Sequence, residues 1–294
     1  MSEPPALSAP AQPAHRPSAR QLERERFRAR KRRRDRSIAI VCTLLFAAAV
    51  GTAAVLSPGW APFRQTFLSG VEFNGSFPKI LDGFWLNVQM FLIAEPLILL
   101  LGLLVALVRS THAPGLLPLR LLAVAYVDLF RGMPTLLVVF VIGFGVPALQ
   151  LQGTPSEPWV LGTIALVLSY GAYVGEVFRA GLGSVHPSQR NAARALGLTQ
   201  TQTLRHVVLP QAVRNVVPPL LNDFVSLQKD TALVATLGPL EALRQAEIAA
   251  DSHFNYTPYL GAALLFVAVT VPLARYTDRL AKRAGERQFA GAVR

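Results

Sequence analysis

The sequence predicts an all-α polytopic membrane protein, on three observations. Hydrophobic residues make up 52% of the 294 residues and charged residues only 16%, whereas a soluble domain usually carries about 25% charged residues. The hydrophobic residues are gathered into six apolar stretches of roughly the length that crosses a bilayer as a helix. Most Lys and Arg residues lie outside these stretches and predominantly on one predicted side. Together these observations exclude an ordinary soluble domain.

The chain begins with a basic tail, residues 1–37, which holds 11 of the 29 Lys and Arg residues. Residues 1–20 are rich in Pro, Ala and Ser, a composition typical of disorder. Residues 21–36 are nearly all charged and can form a basic helix on the membrane surface. A secretory signal is a poor fit because the positive region is too long. A nucleic-acid-binding arm is the alternative, although such a cluster before a first membrane helix is an ordinary topology signal.

The six apolar stretches are predicted to be membrane helices. The first, residues 38–56, is uncharged and long enough to cross the hydrocarbon core. The fifth is the most polar, and the sixth is short enough to need extension by its flanking residues. The five spans after the first are predicted at residues 86–108, 121–147, 159–180, 213–237 and 259–274.

Six spans with an internal N-terminus place the basic loops on one side of the membrane. The tail, residues 109–120, residues 182–214 and the chain from Arg275 together hold 23 Lys and Arg residues. The three loops on the other side hold three of them. This asymmetry is the one described by the positive-inside rule, so both termini are predicted to be cytoplasmic.

A polar segment between the fourth and fifth spans, residues 184–210, is called the knob below. Residues 189–196 predict a short helix, and Gly197 can end that helix in the left-handed conformation without steric penalty. One side of this helix is predicted to hold Ala192, Ala193 and Leu196. The segment is compact and charged, and the predicted topology places it in the cytoplasm.

A second short helix is predicted in the same segment. Thr199 opens it, and Gln202 follows three residues later, which is the capping-box pattern. Pro210 is predicted to end this helix, because proline lacks the backbone N–H that a continuing helix needs.

The knob resembles the EAA loop of ABC importer permeases, whose pattern is E-A-A, three residues, Gly, nine residues and I-x-L-P. The matching positions, which the resemblance implies contact an ATPase subunit, are Asn191, Ala192, Ala193, Gly197, Val207, Leu209 and Pro210. Asn191 departs from the pattern, because the family usually has glutamate there. Asparagine keeps a polar side chain but loses the charge. An ordinary amphipathic hairpin is the alternative interpretation.

Three further segments are similar to motifs of the polar amino-acid subfamily of these permeases. Residues 126–134, YVDLFRGMP, resemble Y-V-E-L-F-R-G-T-P, and residues 173–181, YVGEVFRAG, resemble A-Y-x-A-E-x-x-R-G-G. Residues 228–233, QKDTAL, resemble L-K-D-T-S-L. The departures are modest and fall at Asp128, Met133, Ala180 and Ala232.

The resemblance implies a type I ABC importer permease in a bacterial plasma (inner) membrane. It covers residues 84–278, a bundle of about five core helices, with residues 38–56 as an extra transmembrane helix and residues 279–294 as a basic tail. The implied partners are an ATPase dimer carrying ATP and Mg²⁺, a second permease subunit, identical or paralogous, and an extracytoplasmic solute-binding protein. Membrane lipid surrounds the complex, and no nucleic acid is implied.

This chain is itself expected to hydrolyse no ATP. It contains no G-x-x-x-x-G-K-[ST] sequence, the phosphate-binding loop of many ATPases. Its five histidines are scattered, and no nucleophile–His–acid arrangement is evident. With a single cysteine, Cys42, it is expected to have no intrachain disulfide and no metal site. We therefore expect no catalytic residues and no cofactor in this chain.

The fifth span carries a polar stripe. At 100° per residue its members share an arc of about 120°. They are Asn222, Asp223, Ser226, Lys229 and Asp230. Each central Asp or Lys costs about 2.5–3.5 kcal/mol on insertion, so the stripe should face the bundle interior or a wet cavity. It either lines a translocation path or contains a buried Lys–Asp pair that locks helices together.

The fourth span carries Glu176 and Arg179, which lie one helical turn apart and can form an ion pair. They lie near its cytoplasmic end, and a structural role is favoured over a transport role. Gly171 and Gly175 form a G-x-x-x-G step, which predicts a close helix–helix contact.

Glu95 and Pro96 lie within the second span. They predict either a gate or substrate contact, or a structural kink, because proline frees a backbone carbonyl. A rival function is an integral membrane enzyme that uses Glu95, Glu176 or Asp230 as an acid or base. A third hypothesis, a membrane-anchored nucleic-acid or signalling protein, would place the function in the basic tail.

Overall fold

The structure is a computed structural model that describes residues 19–111 and 113–292. Every regular element in those residues is helical, which confirms the predicted fold class. The α-helices are α1 (Ala19–Val55), α2 (Trp60–Phe67), α3 (Gly70–Ser110), α4 (Leu117–Gly132), α5 (Thr135–Ala148), α6 (Pro158–Gly183), α7 (Pro187–Ala195), α8 (Gln200–Thr203), α9 (Leu209–Asp230), α10 (Ala242–His253) and α11 (Thr257–Ala292). Two 3-10 turns lie at Pro114–Leu116 and Thr231–Leu237, and a π turn lies at Leu204–Val208.

The chain divides into two compact units, Met1–Phe63 and Arg64–Arg294. In the first unit, the basic residues 21–36 and the first predicted span form one continuous helix, α1, rather than a separate surface helix followed by a span. No proline interrupts α1 between Ala19 and Val55, and its Arg and Leu residues are good helix formers. The proline-rich start of the predicted tail, residues 1–18, lies outside the described residues.

Several described helices are long and apolar enough to cross a membrane. They are Lys31–Val55, Trp60–Ser110, Pro158–Gly183 and Thr257–Lys282, and the pair Pro114–Gly132 and Thr135–Ala148 qualifies when taken together. The second span extends well to the N-terminal side of its prediction, because α3 already begins at Gly70. The sixth extends into the predicted C-terminal tail as far as Ala292.

The third predicted span, residues 121–147, is not one helix. It consists of α4 and α5, which meet at an angle of 111°. The break lies at Met133, whose backbone is extended with φ −103° and ψ 139°. A residue before a proline is disfavoured in the helical conformation, so Pro134 accounts for the bend.

The fifth predicted span, residues 213–237, also differs from its prediction. Its α-helix, α9, ends at Asp230, and the chain continues as a 3-10 turn up to Gly238, which has φ +97°. The Thr231 hydroxyl donates to the Gln228 carbonyl oxygen at 2.9 Å, a local bond of the type that competes with regular helix. The residues after this turn, 238–258, predicted only as a loop between the fifth and sixth spans, contain α10.

The core lies where α3 and α6 pack together. Its main cluster includes Met90 and Ile98 from α3 and Leu166 and Val174 from α6. The predicted contact at Gly171 and Gly175 is confirmed, because a Cβ at either position would meet α3. The gaps would be only 2.7 Å to Leu101 and 3.1 Å to Val105. The absence of a side chain at these two positions therefore allows α3 and α6 to approach closely.

A buried polar junction joins α3, the second 3-10 turn and α10. The Asn87 amide nitrogen donates to Glu241 Oε2 at 2.8 Å and to Thr231 Oγ1 at 3.2 Å. Its amide oxygen accepts from the backbone N–H of Ala242 at 3.1 Å. Burial raises the pKa of the Glu241 carboxyl above its usual range, while the Asn87 bond acts in the opposite direction. The side-chain amide of Asn87 thus connects α3 with the second 3-10 turn and with α10.

Gly83 provides a stability test of this junction. A Cβ at Gly83 would lie 2.7 Å from the backbone carbon of Glu241, whereas one at Gly75 in the same helix would meet nothing within 4 Å. We expect Gly83→Ala to lower the free energy of unfolding by about 1–3 kcal/mol, the usual cost of overpacking. Gly75→Ala should raise it by about 0.5–1 kcal/mol, because alanine is the better helix former. Denaturant titration of the purified protein in detergent measures both, and equal stabilities would contradict the assigned contact.

Candidate functional site

A cleft of about 320 Å³ opens between α4, α6 and α9, and its walls carry charged and polar side chains among apolar ones. Both charge signs and an aromatic ring line it. The lining residues are Arg131, Tyr173, Glu176, Val177, Ala180, Pro219, Asn222 and Asp223. Two segments singled out in the sequence, residues 126–134 and 173–181, therefore meet the start of the polar stripe in one place.

Arg131 and Tyr173 hold the first two segments together. The guanidinium carbon of Arg131 stands 5.8 Å from the centroid of the Tyr173 ring, a cation–π arrangement. The Tyr173 hydroxyl also donates to the Arg131 backbone carbonyl oxygen at 3.5 Å. Arg131 lies in the last turn of α4, two residues before the break at Met133.

Glu176 is held by two arginines. The predicted ion pair with Arg179 is confirmed, and Arg109 of α3 adds a second one, with 2.7 Å between Nη1 and Oε2. Sequence reasoning missed Arg109 because it placed this residue in a loop. The carboxylate of Glu176 is thus more than neutralised by cations of the same chain.

The polar stripe divides into two parts. Asn222 and Asp223 line the cleft, whereas Asp230 accepts a hydrogen bond of 2.8 Å from the Tyr170 hydroxyl of α6. Lys229 is exposed, Ser226 is half-buried, and Lys229 forms no ion pair within the described residues. The predicted alternative of a Lys–Asp pair within the chain is therefore not found in this part of the protein.

Glu95 lies half-buried on α3 and interacts electrostatically with Asp223 of α9. Two like charges at this depth repel each other when both are ionised. The helix continues through Pro96 without a break. Glu95 does not itself line the cleft, and its interaction partner Asp223 is the one lining carboxylate that has no ion pair within the described residues.

In the knob, α7 ends as predicted. Gly197 has φ +86°, the left-handed conformation. Leu198 N–H donates to the Ala193 carbonyl at 3.2 Å, and Gly197 N–H donates to the Arg194 carbonyl at 3.0 Å. These two bonds form a Schellman motif, which satisfies the last carbonyl groups of the helix.

The second knob helix begins as predicted but does not end as predicted. Thr199 and Gln202 form a complete capping box, which confirms the start. The prediction that Pro210 ends the helix is wrong, because the chain stays helical through the π turn into α9. Leu209 N–H bonds to Leu204 five residues back, and Pro210 falls in the first turn of α9, where no N–H is needed.

The knob has its own small core. Ala193, Thr203 and Val208 are buried, while Asn191 and Ala192 are exposed. Of the other matching positions, Leu209 and Pro210 are exposed and Val207 is half-buried.

Leu196, predicted on the same side as Ala193, is 82% exposed. It points away from the knob core because it follows the last turn of α7 and stands at the Schellman cap.

The knob is attached to both neighbouring helices. The Asn215 amide donates to Ser184 Oγ at 2.6 Å, and Arg190 donates to the Leu182 carbonyl at 2.6 Å. Gly181 at the end of α6 lets Val216 of α9 approach, because a Cβ there would lie only 2.0 Å from its Cγ1. The described residues contain no group of three or more His, Cys, Asp or Glu side chains that could hold a metal ion.

Comparison with known proteins places this geometry in a family. Residues 98–286 match the binding-protein-dependent transport system inner membrane component. The chain is 35% identical over 211 residues to the "Probable glutamine ABC transporter permease protein GlnM" of Bacillus subtilis, covering 71% of this chain and 94% of the relative. It is 30% identical to the arginine transport system permease protein ArtQ of the same species, covering 72% and 96%.

A solved structure agrees with these relatives. A crystal structure of an amino acid ABC transporter with histidines has 30% sequence identity and a TM-score of 0.65. The match covers 74% of this chain and 98% of that one. The membrane-enzyme alternative receives no support from these similarities. The chain belongs to the family of inner-membrane components of binding-protein-dependent transport systems and is a multi-pass permease subunit of an ABC importer.

Proposed function

We propose that this permease subunit imports polar amino acids, that the polar cleft is part of their path, and that the knob couples the path to a separate ATPase. The observation that carries the proposal is the convergence of Arg131, Glu176 and Asp223 at one cleft beside the helix that continues from the knob. A permease needs a polar route through an apolar bundle, and charges within spans mark such routes.

The substrate class follows from relatives and from cleft chemistry. GlnM and ArtQ carry glutamine and arginine in their names. A zwitterionic amino acid presents an ammonium and a carboxylate group a few ångströms apart. Asp223 and Asn222 can accept from the ammonium, while Arg131 can donate to the carboxylate. These groups support a polar amino acid better than an apolar solute.

The rest of the path follows α9. Ser226, Lys229 and Asp230 continue the polar stripe beyond the cleft, and Glu95 flanks it from α3. Glu176, held by two arginines, supports the wall of the cleft. Transport then requires that the bundle alternate between two arrangements, each exposing this route to one side.

ATP drives that alternation from outside this chain. We infer an ATPase dimer that binds ATP and Mg²⁺ and receives the knob through Asn191, Ala192 and their neighbours. A second permease subunit, identical or paralogous, completes the path, and an extracytoplasmic solute-binding protein delivers the substrate. Both termini and the knob face the cytoplasm in this arrangement, as the distribution of Lys and Arg supports.

Crosslinking tests the docking of the knob. Leu196→Cys, introduced in a Cys42→Ala background, presents a thiol at a residue that is 82% exposed. We expect a crosslink to the co-purifying ATPase whose yield changes with ATP. Ala193→Cys is the matched control, because Ala193 is buried and should crosslink poorly. A co-purifying ATPase that never crosslinks, or a thiol at position 196 that is labelled only from outside, would overturn the proposal.

The cleft is tested by Asp223→Asn. The variant keeps the shape of the side chain but removes its charge, and a hydrogen bond to a charged group contributes about 1.5–3 kcal/mol. We expect amino-acid uptake into proteoliposomes, with the ATPase and binding protein present, to fall about tenfold or more. Asp128→Asn is the control, since Asp128 is an exposed carboxylate of α4 that does not line the cleft. Equal uptake by both variants would remove Asp223 from the path.

The coupling role is tested by Gly197→Val. A side chain in the left-handed conformation costs about 1–2 kcal/mol, so the Schellman cap should loosen. We expect fewer amino acids transported per ATP hydrolysed, with unchanged membrane insertion. Gly183→Val is the matched control, because a Cβ there meets nothing and its φ is not positive. An unchanged transport-to-hydrolysis ratio in Gly197→Val would contradict a stiff coupling element.

A further inference from the structure

The knob and its flanks carry charge of one sign. Residues 180–222 contain four arginines and no aspartate or glutamate. Two of the arginines lie on α7, one in the π turn and one on α9. They are Arg190, Arg194, Arg205 and Arg214. All four are exposed.

None of the four arginines forms an ion pair within the described residues, whose ion pairs lie at Glu176, Glu247 and Glu72. Arg190 is engaged with the Leu182 carbonyl oxygen, which leaves Arg194 and Arg205 as the unengaged arginines of the knob. A cation held on a rigid element without an anionic partner is available to one on another molecule.

An apolar residue stands beside these cations. Leu196 is 82% exposed and is fixed at the Schellman cap, two residues after Arg194. Leu204, next to Arg205, is 50% exposed. α7 also packs against the π turn, so the two Leu–Arg pairs belong to one compact element. Exposed apolar side chains with charged neighbours are typical of protein–protein interfaces.

The position of Asn191 adds an independent observation. The EAA loops that the knob resembles carry glutamate at this position, whereas this chain has an exposed asparagine. A glutamate at 191 would lie one turn before Arg194 and could pair with it. Its absence leaves the exposed face of α7 wholly cationic.

We propose that the knob binds an acidic groove with an apolar floor on its ATPase subunit. Carboxylates of the partner face Arg194 and Arg205, while Leu196 and Leu204 contact the floor. The proposal rests on the proposed function and adds the chemistry of the partner surface. The knob itself supplies no carboxylate to such a contact, because residues 180–222 contain no aspartate or glutamate.

A membrane surface fits this face less well than a protein does. A helix that lies on lipid needs an apolar side with large residues such as Trp, Phe or Leu. The sequence of α7, PSQRNAARA, has only alanine and proline as apolar residues. Leu196 projects singly from a turn rather than from a stripe. A protein groove that accepts one or two exposed leucine side chains suits this arrangement better than a lipid surface does.

The test compares charge variants of the full chain in its complex with the co-purifying ATPase. Arg194→Gln combined with Arg205→Gln removes two charges from exposed positions. The control, Arg214→Gln, removes an exposed charge of the same segment from α9. We measure the affinity for the ATPase in detergent at several salt concentrations. The double variant should bind about tenfold or more weakly at low salt and lose most of the salt dependence, while the control stays close to the parent.

A second variant, Asn191→Glu, tests the sign of the charge on the partner surface. An acidic groove predicts weaker binding, because the new carboxylate is repelled and can also neutralise Arg194. A groove with a basic residue at this place predicts tighter binding, and that result would overturn the proposal. The folding of each variant is checked by its insertion and elution volume.

The remaining outcomes are also decisive. If the affinity for the ATPase depends neither on salt concentration nor on Arg194 and Arg205, the acidic groove is overturned, while the coupling role is unaffected. Loss of binding to phosphatidylglycerol vesicles, with ATPase binding unchanged, would assign the arginines to lipid instead. A chain that co-purifies with no ATPase would refute the proposed function, and this inference with it.

Discussion

Close packing of α6 against its neighbours is the constraint on which the rest of the structure depends. Four glycines of this helix, Gly162, Gly171, Gly175 and Gly181, lie where a Cβ would clash with or crowd another element. Their contacts reach α3, the 3-10 turn after α9, and α9 itself. Because interiors are packed to near crystal density, such contacts allow little sliding. The segment that bears Tyr173 and Glu176 is therefore held in place by several neighbouring elements. The cleft lies along the C-terminal half of α6, and the knob follows the end of this helix.

The second organising feature is the unbroken helical path from the knob to the cleft. The chain is helical from Gln200 through the π turn and α9 to Leu237. This path begins at a capping box in the knob and passes Asn222 and Asp223 at the cleft. Near its C-terminal end, Thr231 accepts a hydrogen bond from Asn87 of α3. The knob and the polar stripe are therefore connected by helical backbone rather than by a loop without regular structure.

Sequence reasoning located features that local chemistry decides. Gly197 and the Thr199 capping box were predictable because a left-handed cap and a reciprocal side-chain bond depend on a few adjacent residues. The bend at Met133 was missed because the apolar run continues across it, although Pro134 was a visible signal. The continuation through Pro210 was missed because a π turn depends on tertiary packing. Arg109 was missed because it was placed in a loop, whereas α3 extends to Ser110 and carries Arg109 to Glu176 of α6.

The two carboxylates that line the cleft, Glu176 and Asp223, differ in their ion pairs. Glu176 is paired with Arg109 and Arg179. Its carboxylate oxygens are therefore already engaged and less available to the ammonium group of a substrate. Asp223 is half-buried at the same cleft and has no ion pair in the described residues. A cationic group that enters the cleft would therefore meet a carboxylate that no described arginine neutralises. This difference in ion pairing is the reason that we propose Asp223, rather than Glu176, as the substrate contact.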